Sequence, residues 1–303
     1  MKLAIIGAAG SIGAPIAYRI ATENLFEEIK MVDIRRDLLK NHVMDMAQAV
    51  VEKSDTKVSL AEYDAIGDCD IFVNVAAAPA SNVSSRDEWL AGNLKMLEGM
   101  HANLKKVVHN KVLINATNPS DVCTYYHYKH LGWDRKKIIG FCVNDSIRIK
   151  LGLNQLMGLE YKKLDCLCVG EHGIKQVPLW GSVTYDGEPV NVPLDIREKI
   201  MKGIHDWTAE YLTVCEGRTS GWLSSVGMTE LVTAVVKGNN KPIAVTTPLE
   251  GEYGQRGVCL GVPAFLSPDG VEEIVEWPLD ENEQRQYAEA ADKVRGLIKD
   301  AGV

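Results

Sequence analysis

The chain has 303 residues, 46% hydrophobic and 24% charged, with a formal charge of −8. That is enough for two domains or one large α/β unit with a sizeable core. The acidic balance argues against nucleic acid as a partner, which needs a basic surface. No stretch approaches the roughly 20 apolar residues of a membrane helix, and Met1–Gly7 is too short an apolar segment for a signal peptide.

Seven scattered cysteines, without paired CxxC motifs, argue against structural zinc and for a reducing, cytoplasmic compartment. Cys166 and Cys168 alternate as in a strand and read as core.

In chain order, Leu3-Ala-Ile-Ile-Gly7 reads as a buried strand, Ser11 to Ala21 as a helix and Glu28 to Ile34 as a second strand. Arg36 to Val51 is helical, with Leu39, Val43, Met46 and Val50 on one stripe. Strands follow at Lys57–Leu60 and Asp70–Val75. Ser85-Arg-Asp-Glu88 is a capping box that predicts a helix from Arg86 to about Val108. Val112 to Ala116 is a strand, Pro119 suits the first turn of the next helix, and Lys137 to Phe141 is a strand. This alternation predicts a parallel sheet covered on both faces.

After about residue 145 the texture changes. A helix, Asp145 to Met157, leads into a buried strand, Leu164 to Val169. Val183 to Pro193 reads as a hairpin or loop around Asp186-Gly187. Helices are predicted at Asp195–Leu212, at Leu223–Lys237 with Gly238 as C-cap, and from Glu281 onward. Short strands are predicted at Ile243–Thr247 and Val258–Phe265. The expected domains are 1–144 and 145–303, the second of mixed α+β type, with no flexible linker between them.

Gly7-Ala-Ala-Gly10-Ser-Ile-Gly13 lies between the first strand and first helix. Glycines there allow a tight turn and close approach of backbone to a pyrophosphate, which the helix N-terminus attracts. Asp33 ends the second strand twenty residues after Gly13, where an acid can accept from ribose hydroxyls. That acid repels a 2′-phosphate and favours NAD over NADP, with Arg35 and Arg36 the feature that keeps NADP open.

A second group of residues falls at strand ends and first turns. Arg86 follows the polar loop Ala80–Ser85, a candidate lid. Asn118 precedes Pro119, and Asp145 and Arg148 share a helix face. His172 sits between glycines in Cys168-Val-Gly-Glu-His-Gly173, at a strand end where a small molecule can reach it. An arginine fork can hold a carboxylate and a second cation can polarise a carbonyl. A carboxylate beside a histidine fixes its tautomer. Each feature also has a bland reading: an ordinary helix ion pair for Asp145 and Arg148, a solvated residue for Arg86, a turn at Asn118-Pro119. His127 and His130 read as a solvated helix end, and no metal site is expected.

Taken together, Gly7/Gly10/Gly13 with Asp33, the Arg86 helix, Thr117-Asn118-Pro119, Asp145-Ser-Ile-Arg148 and Gly170-Glu-His172-Gly resemble the NAD-dependent lactate/malate dehydrogenase family over essentially the full length. The resemblance implies a Rossmann, doubly wound parallel sheet followed by a mixed substrate domain, and a 2-hydroxy acid dehydrogenase acting as a homodimer or homotetramer. It implies NAD on Gly7, Gly10, Ser11, Ile12, Gly13, Asp33, Ala76 and Asn118. It implies His172 as proton donor–acceptor, Asp145 as its partner, Arg148 as carboxylate clamp, Arg86 as carbonyl polariser and Asn118 as a contact to both ligands. Ala80 and Thr219, or Ser220, would line the pocket.

The chain departs from the family at the lid. Ala80 stands where malate dehydrogenases carry an arginine and lactate dehydrogenases usually glutamine. Asn144 replaces a usual leucine, Ile174 a usual aspartate and Ala77 a common glycine. A malate dehydrogenase proper would therefore need another cation, for which Lys175 is the nearest candidate. Two other classes are a metal-dependent NAD glycosidase, for which no cysteine–histidine pair matches, and a non-catalytic NAD-binding sensor or scaffold.

Overall fold

The structure, a computed structural model, describes residues 1–78, 86–214 and 220–303, and side chains throughout these except at 86–89 and 212. Six short segments become parallel strands: β1 (Lys2–Ile6), β2 (Glu28–Val32), β3 (Lys57–Leu60), β4 (Ile71–Asn74), β5 (Val112–Asn115) and β6 (Ile138–Gly140). They lie in the order β3-β2-β1-β4-β5-β6, the doubly wound arrangement. Between them run α1 (Gly13–Thr22), α2 (Arg36–Ala49), α3 (Arg86–Val107) and α4 (Ser120–Leu131).

Alternation along the strands divides the core. Leu3, Ile5, Ile71 and Ile114 pack with Ile16 and Ile20 of α1 and Leu39 and Met46 of α2. Ala4, Ile6, Phe72 and Leu113 pack with Leu97 and Leu104 of α3 and Val122 of α4. The central strands β1, β4, β5 and β6 are buried on both faces and appear in the sequence as nearly unbroken apolar runs, whereas β2 and β3 toward the edge alternate. Each large side chain so buried contributes about 1.5–3 kcal/mol.

The second half comprises α5 (Val143–Met157), β7 (Leu164–Gly170), β8 (Gln176–Tyr185), β9 (Glu188–Pro189), α6 (Leu194–Val214), α7 (Gly221–Lys237), β10 (Ile243–Glu250), β11 (Arg256–Ser267), β12 (Gly270–Ile274) and α8 (Glu281–Asp300). Its strands continue the same sheet in antiparallel fashion, β6-β10-β11-β7-β8-β9, with β12 on β11. The seam between the halves is one registered pair, Gly140 opposite Thr246. A Cβ on Gly140 would stand 2.4 Å from the Thr124 hydroxyl oxygen and 2.8 Å from the Thr246 Cβ, so only glycine fits.

The structure adds strands that the sequence reading lacks. β8 begins at Gln176, where only a hairpin or loop from Val183 was expected. Pro178 and Gly181 interrupt its pattern, and Pro178 is tolerated opposite Cys168. The hairpin at Asp186-Gly187 is present, with both residues at positive φ as a two-residue turn requires. β11 is twelve residues long instead of a short strand, and β12 was not anticipated. Six of the seven cysteines are free and buried, as a core role requires; Cys215 lies outside the described residues. No described helix is long and apolar enough to cross a membrane.

Candidate active site

At the end of β1 the chain turns through Gly7, whose φ is +86°. A Cβ there would lie 2.5 Å from the Ala76 nitrogen at the end of β4. Gly13 opens α1 so close beneath the loop that a Cβ would lie 2.3 Å from the Gly7 carbonyl oxygen, whereas Gly10 has 3.2 Å to its nearest neighbour. Ile12, the N-cap of α1, has no side-chain cap hydrogen bond; the Ala14 N–H donates to the Gly10 carbonyl at 3.1 Å and Pro15 has no N–H, so Gly13 supplies the first-turn donor for an anion. Ser11 is exposed beside it.

The Asp33 carboxylate is fixed at the end of β2. Oδ2 accepts the Ala9 N–H at 2.9 Å and Oδ1 the Arg35 N–H at 2.9 Å. Arg35 pairs loosely with Asp33 at 3.4 Å, and Arg36 is engaged by Glu62 at 2.6 Å. A bare glycine loop, an uncapped helix and an anchored acid fit a dinucleotide whose ribose carries no added phosphate. Residues Gly7, Gly10, Ser11, Ile12, Gly13 and Asp33 would hold it.

The ends of β4 and β5 are fastened by buried amides. Asn74 donates to Asn115 at 3.1 Å and to Thr117 at 2.9 Å, and Thr117 donates to the Ala76 carbonyl at 2.6 Å. Asn93 of α3, fully buried, donates to the Asn118 carbonyl and accepts the Ala78 N–H, both at 2.7 Å. Asn118 itself is exposed at this edge, next to Ala76 and Thr117 in the chain of contacts. His127 is also part of this layer and is fully buried, contrary to the expected solvated helix end. α4 lies between the sheet and α3, so the ring meets Asn115 at 3.2 Å and His101 at 2.7 Å instead of water. Burial drives both rings toward the neutral form, with the pKa of His101 down to about 3. Among the described residues no cluster of histidine, cysteine or acid is arranged to hold a metal.

Asp145, Arg148 and His172 meet where α5 starts and β7 ends. Asp145, in the first turn of α5, divides its oxygens: Oδ2 lies 2.7 Å from His172 Nδ1 and Oδ1 accepts from Arg148 Nη1 at 2.9 Å. A carboxylate is an acceptor only, so His172 Nδ1 carries the proton and Nε2 is the nitrogen left for a substrate. The imidazole is 15% exposed, with the Phe141 ring edge-on at 6.3 Å, and is more enclosed than a histidine displayed on bare backbone. Burial lowers its pKa, but the Asp145 charge, the Asp145 hydrogen bond and the Asp121 charge outweigh that, and the value stands above the ordinary one for histidine. Arg148 is further held over the Trp207 ring of α6 at 5.5 Å.

Two carboxylates absent from the sequence reading grip the same loop. Glu171 accepts the Lys175 N–H at 2.9 Å and pairs with Lys293 of α8. Asp121, in the first turn of α4, accepts the His172 main-chain N–H at 2.8 Å. Its only sequence signal is an acid just after Asn118-Pro119, where a helix-dipole role already accounts for it.

The structure thus brings together Asp145, Arg148 and His172 on one side and the glycine loop, Asp33 and Ala76 on the other. Arg86 is the first residue of α3, while its side chain, and Ala80 and Thr219, lie outside the described residues. Asn144 is buried and donates to Ser224 of α7 at 3.1 Å, its carbonyl oxygen against Gly227. Lys175 extends to Glu289 of α8 at 2.7 Å.

Residues 1–140 match the NAD-binding domain of the lactate/malate dehydrogenase family, and residues 144–302 match its α/β C-terminal domain. The chain is 30% identical over 296 residues to the malate dehydrogenase of Natronomonas pharaonis, covering 97% of each chain. It is 28% identical over 314 residues to L-lactate dehydrogenase 3 of Bacillus anthracis, covering 99% of this chain and 98% of that one. Among solved structures it superimposes with a TM-score of 0.92, at 26% identity and over 99% and 98% of the two chains, on the Cryptosporidium parvum lactate dehydrogenase complexed with lactic acid and β-nicotinamide adenine dinucleotide.

Proposed function

The chain belongs to the lactate/malate dehydrogenase family, and from that premise we propose that it interconverts a 2-oxo acid and an L-2-hydroxy acid whose side chain bears no second carboxylate. It is an NAD-dependent oxidoreductase acting on a CH–OH group. The observation that carries the residue-level reading is the divided Asp145, one oxygen on His172 and the other on Arg148.

In this reading bound NAD supplies the hydride acceptor for oxidation and, reduced, the hydride donor for the reverse. His172 Nε2 takes the hydroxyl proton on oxidation and returns it to the carbonyl oxygen on reduction, a contribution of about 10²–10⁴ in rate. Asp145 keeps the ring in the tautomer that exposes Nε2 and stabilises the imidazolium. Arg148, already oriented by Asp145 and Trp207, offers its remaining N–H groups to the substrate carboxylate as a fork. Arg86 polarises the carbonyl oxygen, and Asn118 contacts both cofactor and substrate. Ala80 and Thr219 line the side-chain pocket.

The substrate class is supported by how the cations of the His172 loop are used. Lys175 is engaged by Glu289 and Lys293 of α8 by Glu171, while Arg148 is assigned to the first carboxylate. Ile174, 58% exposed, presents apolar surface beside them. A second substrate carboxylate without a cation loses a contact worth about 2–5 kcal/mol. The test is turnover of a panel of 2-oxo acids with NADH. Monocarboxylic substrates should lead; oxaloacetate ahead by orders of magnitude would make the protein a malate dehydrogenase proper, using a cation this reading does not assign.

We further place the division of the chain at 1–144 and 145–303, supported by the change from parallel to antiparallel pairing beyond β6. Apolar side chains left exposed on α2, α5 and α7, among them Met44, Leu151 and Trp222, the last 72% exposed, support a homodimer or homotetramer, and the free cysteines among the described residues support a reducing, cytoplasmic setting. Light scattering that returned the mass of a single chain would overturn the assembly.

A further inference from the structure

Asp121 is 2% exposed, yet neither of its oxygens serves its own helix. Oδ2 accepts the main-chain N–H of His172 at 2.8 Å, across 51 residues of chain, and Oδ1 accepts the Thr246 hydroxyl of β10 at 2.9 Å. The groups that face it from the packed elements are the thiols of Cys123 on α4, Cys142 before α5 and Cys259 on β11, the Tyr287 phenol of α8, and Glu171. None of these is a cation. The charge that offsets it is that of His172.

A carboxylate in such surroundings is expensive to ionise, and burial pushes its pKa up to about 7 in spite of His172. It therefore adds nothing to stability through its charge near neutrality. A hydroxyl or amide could hold the His172 N–H without that cost. Buried acids with raised pKa values gather at functional sites because proton chemistry needs them there.

We propose that Asp121 is a positioning residue of the proton-transfer site, which holds the His172 main chain by hydrogen bond and helps the imidazole keep its proton by its negative charge. Asp145 acts on the ring through Nδ1; Asp121 acts from α4 through the backbone and through space, and Arg148 opposes both. The two buried groups are coupled, each charge favouring the other, so they titrate as a pair. This inference rests on the proposed role of His172 as proton carrier.

The sign of the effect is fixed by the chemistry. Reduction of a 2-oxo acid needs protonated His172, and oxidation of the hydroxy acid needs it neutral. Loss of the Asp121 charge lowers the His172 pKa, so reduction fails at lower pH and oxidation persists to lower pH. Asp121→Asn tests the charge alone, because its carbonyl can accept the His172 N–H and its amide can donate to the Thr246 hydroxyl. The expected result is a downward shift of about one pH unit in the limb of kcat/KM assigned to His172, with NADH affinity unchanged. Reduction at a pH above that limb should fall about tenfold.

The same shift should appear in the NMR titration of the His172 ring, assigned by its absence in His172→Asn, with no substrate present. Thr246→Val, which leaves Asp121 in place but removes the hydroxyl that favours its charge, should move the titration in the same direction by less. Both variants retaining the wild-type His172 titration would overturn the proposal. Absence of turnover with every 2-oxo acid would instead count against the reaction assigned to His172, while the NMR titration would still judge Asp121.

Discussion

Two loops carry the candidate site, and they are built on opposite principles. The turn from Gly7 to Gly13 is a shape made by leaving atoms out: backbone meets backbone at Gly7–Ala76 and Gly13–Gly7, where a single methyl would overlap. The loop from Gly170 to Lys175 is held by carboxylates from three elements, Asp145, Asp121 and its own Glu171. The first, with Asp33 accepting from Ala9 and the Arg35 guanidinium beside Gly10, answers to volume. The second answers to charge and pH. A fixed backbone cradle suits an anion that never changes protonation, and a charged cradle suits a group that must gain and lose a proton.

The comparison breaks most sharply at His172. His172→Asn should bind NADH as the parent does and lose about 10²–10⁴ in turnover, read by steady-state kinetics and NADH fluorescence; retained turnover removes His172 from the chemistry. Next comes volume. Gly13→Ala, with a carbonyl oxygen 2.3 Å from the new methyl, should cost about 1–3 kcal/mol and weaken NADH binding. Gly10→Ala should cost less, and equal losses in Tm would mean that shape does not govern this loop.

Charge makes its own prediction behind the cofactor end. His101 is held neutral, its pKa of about 3 lying well below the ~6.5 of an unfolded histidine. The unfolded chain therefore binds more protons between these values, and stability is fully present above pH ~6.5 and lost as pH falls toward 3. His101→Gln, which can still donate to His127, should flatten the fall in urea midpoint between pH 7 and 5; an unchanged slope would place the acid sensitivity elsewhere. Asp33→Ser should weaken NAD by about tenfold and NADP by less, with an unchanged preference counting against Asp33 as the ribose acid. The smallest effect is expected at Lys175, whose half-exposed pair with Glu289 is screened by solvent. Lys175→Gln should leave stability and turnover near parental values, and a selective loss of oxaloacetate reduction would restore it as a second clamp.

How much was legible in the sequence follows the same divide. Shape by omission is local, so Gly7, Gly10 and Gly13 with Asp33 announce the dinucleotide loop at fixed spacing. Strands buried on both faces announce themselves as apolar runs, and β4, β5 and β6, buried at every position, lie within theirs. β8 was hidden because Pro178 and Gly181 carry turn chemistry into a strand that β7 and β9 hold in place. Asp145 and Arg148 were legible as a helix pair, and His172 through its motif. Asp121 was not, because an acid in a first turn has a sufficient local reason to be there and its partner is 51 residues away. His127 was misread for the complementary reason: a stretch of tyrosine, lysine and histidine looks solvated, and only the packing of α4 against α3 and the sheet buries it.

The seam at Gly140 and Thr246 has a consequence for how such an enzyme can be cut or moved. One order of strands runs from the nucleotide side to the His172 side, and the halves share it through that single registered pair. A gene fragment ending near residue 142 would bare the hydrogen-bonding edge of β6 that now meets β10, and the complementary fragment would bare β10; each would offer a sticky border to its own copies. Thr246 lies on that border and also donates to Asp121, so a break there would reach His172 through two hydrogen bonds. The division into a part that holds the coenzyme and a part that does the chemistry is therefore one of labour, with a shared wall between them.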